Sequence, residues 1–151
     1  MQLVRLTSDD YPKYRKTYAR ISYSIFRKGE EQFLDQEMVR KAVHDQIKTR
    51  TKFLKEVNDP NYEFYFYTDH NGQIQGFVEL IFDGCFCNLY EFAVFQKGKG
   101  LGAKLYSEIQ NIIQQRGCKK IILWCPFEGS KVFWRKMGFS SKPNDIFIKR
   151  I

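Results

Sequence analysis

Lys97-Gly98-Lys99-Gly100-Leu101-Gly102 carries three glycines at alternate positions, and Lys104 follows two residues later. The apolar rhythm changes across this run. Before it, Cys85–Phe95 reads as a strand. After it, Leu101, Leu105, Ile109, Ile112 and Ile113 mark one face of an amphipathic helix. Glycines at such a junction permit positive φ and let a ligand reach the backbone with no β-carbon in the way. The first helical N–H groups have no intrahelical acceptor, and successive N–H groups of the turn converge on an anion in the favourable field of the helix. Lys97, Lys99 and Lys104 add mobile positive charge. The run therefore reads as a cradle for a pyrophosphate. The alternative is a plain connector, but glycines are entropically costly and the three lysines repel one another when no anion lies among them.

Two other phosphate motifs fail on the letters. A Walker A loop ends Gly-Lys-Ser/Thr, whereas Lys99 is followed by Gly100. A dinucleotide fingerprint needs Gly-x-Gly-x-x-Gly and an acid at the end of the next strand. Here the spacing is Gly-x-Gly-x-Gly, and the next strand ends Leu123-Trp124-Cys125-Pro126.

The chain reads as one α+β domain over residues 1–151 in the order β-α-α-β-β-β-α-β-α-β. Residues 2–7 alternate as a first strand. Ser8 and Asp9 can cap a helix that runs to Gly29, and a second helix covers about Glu31 to Val57. Tyr62–Thr68, Gln75–Phe82 and Cys85–Phe95 form an antiparallel meander, joined by His70-Asn71-Gly72 and Asp83-Gly84. The helix after the glycine run closes at Arg116-Gly117. Lys120–Cys125 is nearly all apolar, which predicts a central strand buried on both faces. A short helix spans Ser130–Met137. A C-terminal strand or hairpin follows, turning at Pro143-Asn144-Asp145. The strand–helix–strand unit of residues 85–125 predicts a parallel crossover within the sheet.

The net charge of +8 admits a nucleic-acid face, a membrane-surface face or a polyanionic small ligand. No block of like charges stands out, and the one local basic cluster lies beside the glycines, so a phosphorylated small molecule fits better than a polymer. No run approaches the ~20 apolar residues of a membrane span, and the first ten residues lack an apolar signal core. A cytoplasmic protein is expected, with Cys85, Cys87, Cys118 and Cys125 as reduced thiols and no metal site.

Gly100 and Gly102 fit the small positions of the signature Arg/Gln-x-x-Gly-x-Gly/Ala. Farther on, Phe133-Trp134-Arg135-Lys136-Met137-Gly138-Phe139 is similar to Phe-Tyr-x-Lys-x-Gly-Phe. With these two motifs in order, the chain resembles the GNAT superfamily of N-acetyltransferases over essentially its whole length. Three departures accompany the match. Lys97 replaces the signature's first Arg or Gln, and lysine meets a phosphate as a point charge rather than a planar fork. The loop from Val94 to Lys97 is about two residues shorter than the family's usual loop. Trp134 stands where many members carry a tyrosine, and an indole N–H donates a hydrogen bond but is no practical acid.

The resemblance implies an acetyl-CoA-dependent N-acetyltransferase in which a primary amine attacks the thioester directly. The cofactor would lie between the fourth and fifth strands. Phe92, Ala93 and Val94 would pair with its pantetheine arm and supply an oxyanion donor. Lys97, Gly98, Lys99, Gly100, Leu101, Gly102, Ala103 and Lys104 would hold its phosphates, and Phe133, Trp134 and Lys136 would complete the site. Glu91 is favoured as general base over Glu79. Tyr90 and Tyr106 are candidate proton donors in place of the missing tyrosine. A covalent route through Cys87 or Cys125 is a further option. The first two helices, with Tyr18, Tyr23, Phe26, Glu30 and Glu31, would form the acceptor side. A homodimer through the C-terminal strands also follows from the resemblance. Two other functions stay open: a non-catalytic acyl-CoA-binding or sensor module, and a basic nucleic-acid-binding domain.

Overall fold

The aromatic run after Pro60 pairs with the strands on either side of it in space. In the computed structural model, which describes residues 1–10, 58–96 and 98–151, seven strands form one sheet. They are β1 (Gln2–Arg5), β2 (Tyr62–Thr68), β3 (Ile74–Asp83), β4 (Phe86–Val94), β5 (Lys120–Trp124), β6 (Ser140–Ser141) and β7 (Ile146–Arg150). Their spatial order is β1-β2-β3-β4-β5-β7-β6, and only the β4–β5 pair is parallel. The α-helices among the described residues are α1 (Leu101–Gln115), which makes the crossover from β4 to β5, and α2 (Glu128–Lys136).

About four helices are expected from the sequence, and two are found among the described residues. The other two expected helices, with Tyr18, Tyr23, Phe26, Glu30 and Glu31, fall within 11–57 and lie outside the described residues. Ser8 and Asp9 belong to a single 3-10 turn, Ser8–Asp10. There Asp10 accepts bonds from the Thr7 N–H and hydroxyl. The chain divides into two compact units, Leu6–Pro60 and Met1–Arg5 with Asn61–Ile151.

The turns follow local chemistry. Asp69 Oδ1 accepts from the N–H groups of Asn71 (2.9 Å) and Gln73 (3.0 Å), and Gly72 takes φ +74° between them. At the other end of the sheet, Asn144 and Asp145 adopt φ of about +60°, the left-handed region these two residue types tolerate. Both helices end in the same motif. In α1, Gly117 N–H bonds Gln114 O and Cys118 N–H bonds Ile113 O. In α2, Gly138 N–H bonds Arg135 O and Phe139 N–H bonds Trp134 O. Each is a Schellman closure with glycine at positive φ.

Leu105, Tyr106, Ile109 and Ile113 of α1 bury one face of the sheet together with Val78, Leu80, Cys87, Leu89, Ile121 and Leu123. Strand β5 corrects one expectation. It is central, but its burial alternates: Ile121 and Leu123 are buried, Ile122 is half-buried and Trp124 is 68% exposed. An unbroken apolar run carries no phase, so it cannot reveal that one face is left open.

Glu63 is buried, and it ties β2 to β1 and to the end of α1. Arg116 beyond α1 and Arg5 of β1 both reach its Oε1, and the Tyr65 hydroxyl donates to its Oε2 at 2.6 Å. The Tyr67 hydroxyl likewise donates to Glu108 at 3.0 Å. Burial, then the carboxylate acceptor, pushes the Tyr67 phenol up to about 12 and raises Tyr65 as well. In the unfolded chain a phenol ionises near ~10. Between those values the unfolded state has released protons that the native state keeps. The contribution is therefore intact below pH ~10 and lost as the pH rises toward 12. We expect alkaline unfolding to begin above pH ~10, with Tyr67 alone accounting for about 2–3 kcal/mol of the loss. Circular dichroism from pH 8 to 12 measures it. Tyr67→Phe should flatten the decline, and an unchanged profile would contradict this assignment.

Candidate active site

The feature that organises the site is where β4 and β5 stop pairing. They share three register pairs, Phe86 with Lys120, Cys87 with Ile121 and Asn88 with Ile122. Strand β4 continues to Val94 with no β5 partner for Leu89–Val94 among the described residues. On its other side it remains paired with β3 up to Val94 opposite Gly76. The backbone edge of the far half of β4 therefore faces an opening within the sheet. That edge runs directly into the glycine turn.

A bulge falls at the same place. Leu80 faces Leu89 and Glu79 faces Glu91, which leaves Tyr90 as the extra residue. The bulge resets the alternation of β4. Cys87 and Leu89 pack toward α1, and beyond the bulge so do Phe92 and Val94. The sequence carries this signal as a switch of apolar phase from odd to even positions, which the reading of Cys85–Phe95 as a plain strand misses. Tyr90 is exposed at 61%. Glu79 and Glu91 face each other across two strands on the side of the sheet away from α1, with Glu79 buried.

The glycine turn has the backbone its residue types suggest. Gly98 takes φ +82° and Gly100, the N-cap of α1, φ +70°. A β-carbon at either would meet nothing within 4 Å, so these two glycines serve the backbone conformation. The first bond into α1 runs from Lys104 N–H to Gly100 O at 3.2 Å. The N–H groups ahead of it belong to the helix mouth. Lys99 and Lys104 are exposed beside them. Lys97 lies outside the described residues. Gly102 serves packing instead: a β-carbon there would come within 3.2 Å of the Phe133 ring.

Helix α2 closes the opening from the side. Lys131 anchors it by pairing with Glu128 and, at 2.7 Å, with Asp145 of the β6–β7 turn. Its Schellman end holds Trp134 against Phe139, ring centroids 5.3 Å apart. Trp134 also meets Phe133 at 4.8 Å, Phe92 at 5.1 Å and Tyr106 at 5.8 Å. Phe92 stacks on Phe133 at 5.9 Å. The aromatic cluster thus joins the far half of β4 to α1 and α2. Lys136 is exposed on α2, while Trp134 is buried.

Burial disfavours three candidates for proton or acyl transfer. Burial raises the Tyr106 phenol far above its ordinary value, which makes it a poor acid toward a thiolate. Burial also pushes up the thiols of Cys87 and Cys125, so neither is a ready nucleophile. All four cysteines are free. Among the described residues, no group of three or more His, Cys, Asp or Glu side chains could hold a metal ion, and no helix is long and apolar enough to cross a membrane.

The fold is that of the CoA-dependent acetyltransferases. The profile of the acetyltransferase (GNAT) family matches residues 9–139, and the chain belongs to that family. No curated protein matches the chain. Among solved structures, it is similar to a PaiA N-acetyltransferase from Thermoplasma acidophilum in complex with coenzyme A, with 17% identity, TM-score 0.80 and full coverage of both chains. It is also similar to a GNAT acetyltransferase from Staphylococcus aureus Mu50, with 14% identity, TM-score 0.70 and coverage of 99% and 98%. A third similar structure is Tetrahymena GCN5, with 13% identity, TM-score 0.69 and coverage of 100% and 96%. At these identities the likeness is one of fold.

Proposed function

We propose that this chain transfers the acetyl group of acetyl-CoA to a primary amine by direct attack in a ternary complex. The observation that carries this reading is the parting of β4 from β5 immediately before a glycine turn at a helix mouth. An extended pantetheine arm fits beside Phe92, Ala93 and Val94 as an added strand. Its pyrophosphate then falls at Gly98–Lys104, with Lys97, Lys99 and Lys104 as counter-charges. A backbone N–H near Phe92–Val94 polarises the thioester carbonyl. Phe133 and Trp134 wall the arm, and Lys136 offers charge at the rim.

The acceptor amine carries a proton at neutral pH, since lysine-like amines titrate near ~10.4. Glu91 removes it, directly or through water, with Glu79 opposite as the second acid and Tyr90 beside them. Glu91→Gln should lower kcat/KM about a hundredfold at pH 7. That defect should shrink as the pH approaches 9.5, where free amine becomes available without a base. Thiol release from acetyl-CoA across an amine panel measures this, and a pH-independent defect would remove Glu91 as the base.

The acceptor is a small-molecule or peptide amine. The compartment is the cytoplasm, in keeping with four free thiols, and two copies pair through the C-terminal strands. Trp134 favours one second reading, an acyl-CoA-binding module without turnover. Tight acetyl-CoA binding with no thiol release above background for any amine would establish it.

A further inference from the structure

Three tyrosines are buried in the core of the described residues, but they are not alike. The hydroxyls of Tyr65 and Tyr67 donate to Glu63 and Glu108. Tyr106 is equally buried, at 3% exposure, and its Oη has no hydrogen-bond partner among the described residues. A buried hydroxyl without a partner is less favourable than the bare ring of phenylalanine, so its presence calls for a role. Nearby groups do not supply a partner. The Lys149 ammonium lies 5.0 Å from the ring centroid, but it donates to Gln110 Oε1 and Met137 O and offers no acceptor. Trp134 and Phe139 present rings.

The position of Tyr106 connects it to the opening in the sheet. Gly102 lies four residues earlier on α1, on the same side of the helix and one turn nearer the glycine turn. Gly102 abuts Phe133, and Phe133 and Trp134 both meet Phe92 on the unpartnered half of β4. Tyr106 is therefore linked to the unpartnered half of β4 through Trp134, which meets both Tyr106 and Phe92. Burial keeps its proton in place, so it presents a neutral donor at any working pH.

We propose that the Tyr106 hydroxyl is a hydrogen-bond donor to an acceptor atom on the thioester arm of bound acyl-CoA. This rests on the function proposed above. The ligand supplies the partner that the protein withholds, so the hydroxyl costs stability in the free protein and returns it as affinity.

The test compares wild type with Tyr106→Phe in three measurements. These are the melting temperature without ligand, calorimetric affinity for CoA, and affinity for adenosine 3′-phosphate 5′-diphosphate, which keeps the phosphates but lacks the arm. The expected result is a melting temperature raised by about 2–4 °C, CoA binding weakened about tenfold, and unchanged binding of the armless nucleotide. Unaltered CoA affinity in the variant would overturn the inference. So would equal weakening for both ligands, or a lowered melting temperature, which would mean that the hydroxyl already has a partner. Wild type that binds neither ligand would instead overturn the functional reading itself, and this inference with it.

Discussion

Gly100→Asp is expected to abolish CoA binding at concentrations where the wild-type protein is saturated. Two effects combine at this position. Gly100 holds φ +70° as the N-cap of α1, a conformation that costs a side-chain-bearing residue about 1–2 kcal/mol. An aspartate there also sets a negative charge among the N–H groups that would meet the pyrophosphate. At about 4 Å, such repulsion amounts to roughly 1–4 kcal/mol between water-like and surface-like dielectric. Together they predict a loss of about thirtyfold to ten-thousandfold in affinity. Gly100→Asn separates the two contributions, because asparagine tolerates the same backbone and carries no charge. It should retain most of the binding that aspartate loses. Calorimetric titration with CoA decides, and an aspartate variant that binds like wild type would remove the turn as the phosphate site.

The second large effect is expected for Trp134→Ala. Trp134 is buried and touches four aromatic rings, from β4, α1, its own helix and the segment after it. Removing so large a side chain from a packed cluster costs about 3–5 kcal/mol. For a chain of this size that lowers the melting temperature by roughly 10 °C. Whole domains are stable by only about 5–15 kcal/mol, so the variant should lie near the edge of folding. Trp134→Phe keeps most of the cluster and should lose much less. A scanning-calorimetry shift under about 3 °C for the alanine variant would mean that the indole is not the hub of this cluster.

Much of this arrangement is legible in the letters, for physical reasons. Asn71-Gly72 and Asp83-Gly84 name the meander because only a few residue types accept hairpin backbones. Gly117 and Gly138 mark both helix ends, since the closing residue must adopt positive φ. The glycine turn is readable because its residues act through their own backbone. The three departures from strict expectation share a different origin. Tyr90 becomes an extra residue, Trp124 points outward, and Tyr106 keeps its hydroxyl without a partner among the described residues because of what neighbouring elements do. Pairing partners are set by tertiary register. Periodicity along one segment therefore cannot reveal where β4 and β5 separate, nor that Glu79 ends up opposite Glu91. The two acids are visible as candidates, and their juxtaposition is a product of folding.

The three register pairs that join β4 to β5 also have a mechanical meaning. To one side lies a four-stranded antiparallel plate, and to the other the β5–β7–β6 plate. Among the described residues a short row of backbone rungs spans the crease between them, helped by α1 and by the contacts of Phe92 with Phe133 and Trp134. Such a crease is where a sheet yields first to torsion, and where amide protons at its margin exchange soonest. An extended molecule lying along the rest of β4 would add rungs to one lip of the crease. Occupancy and stiffness of the sheet would then rise together, so that the protein reports its cargo through its own rigidity.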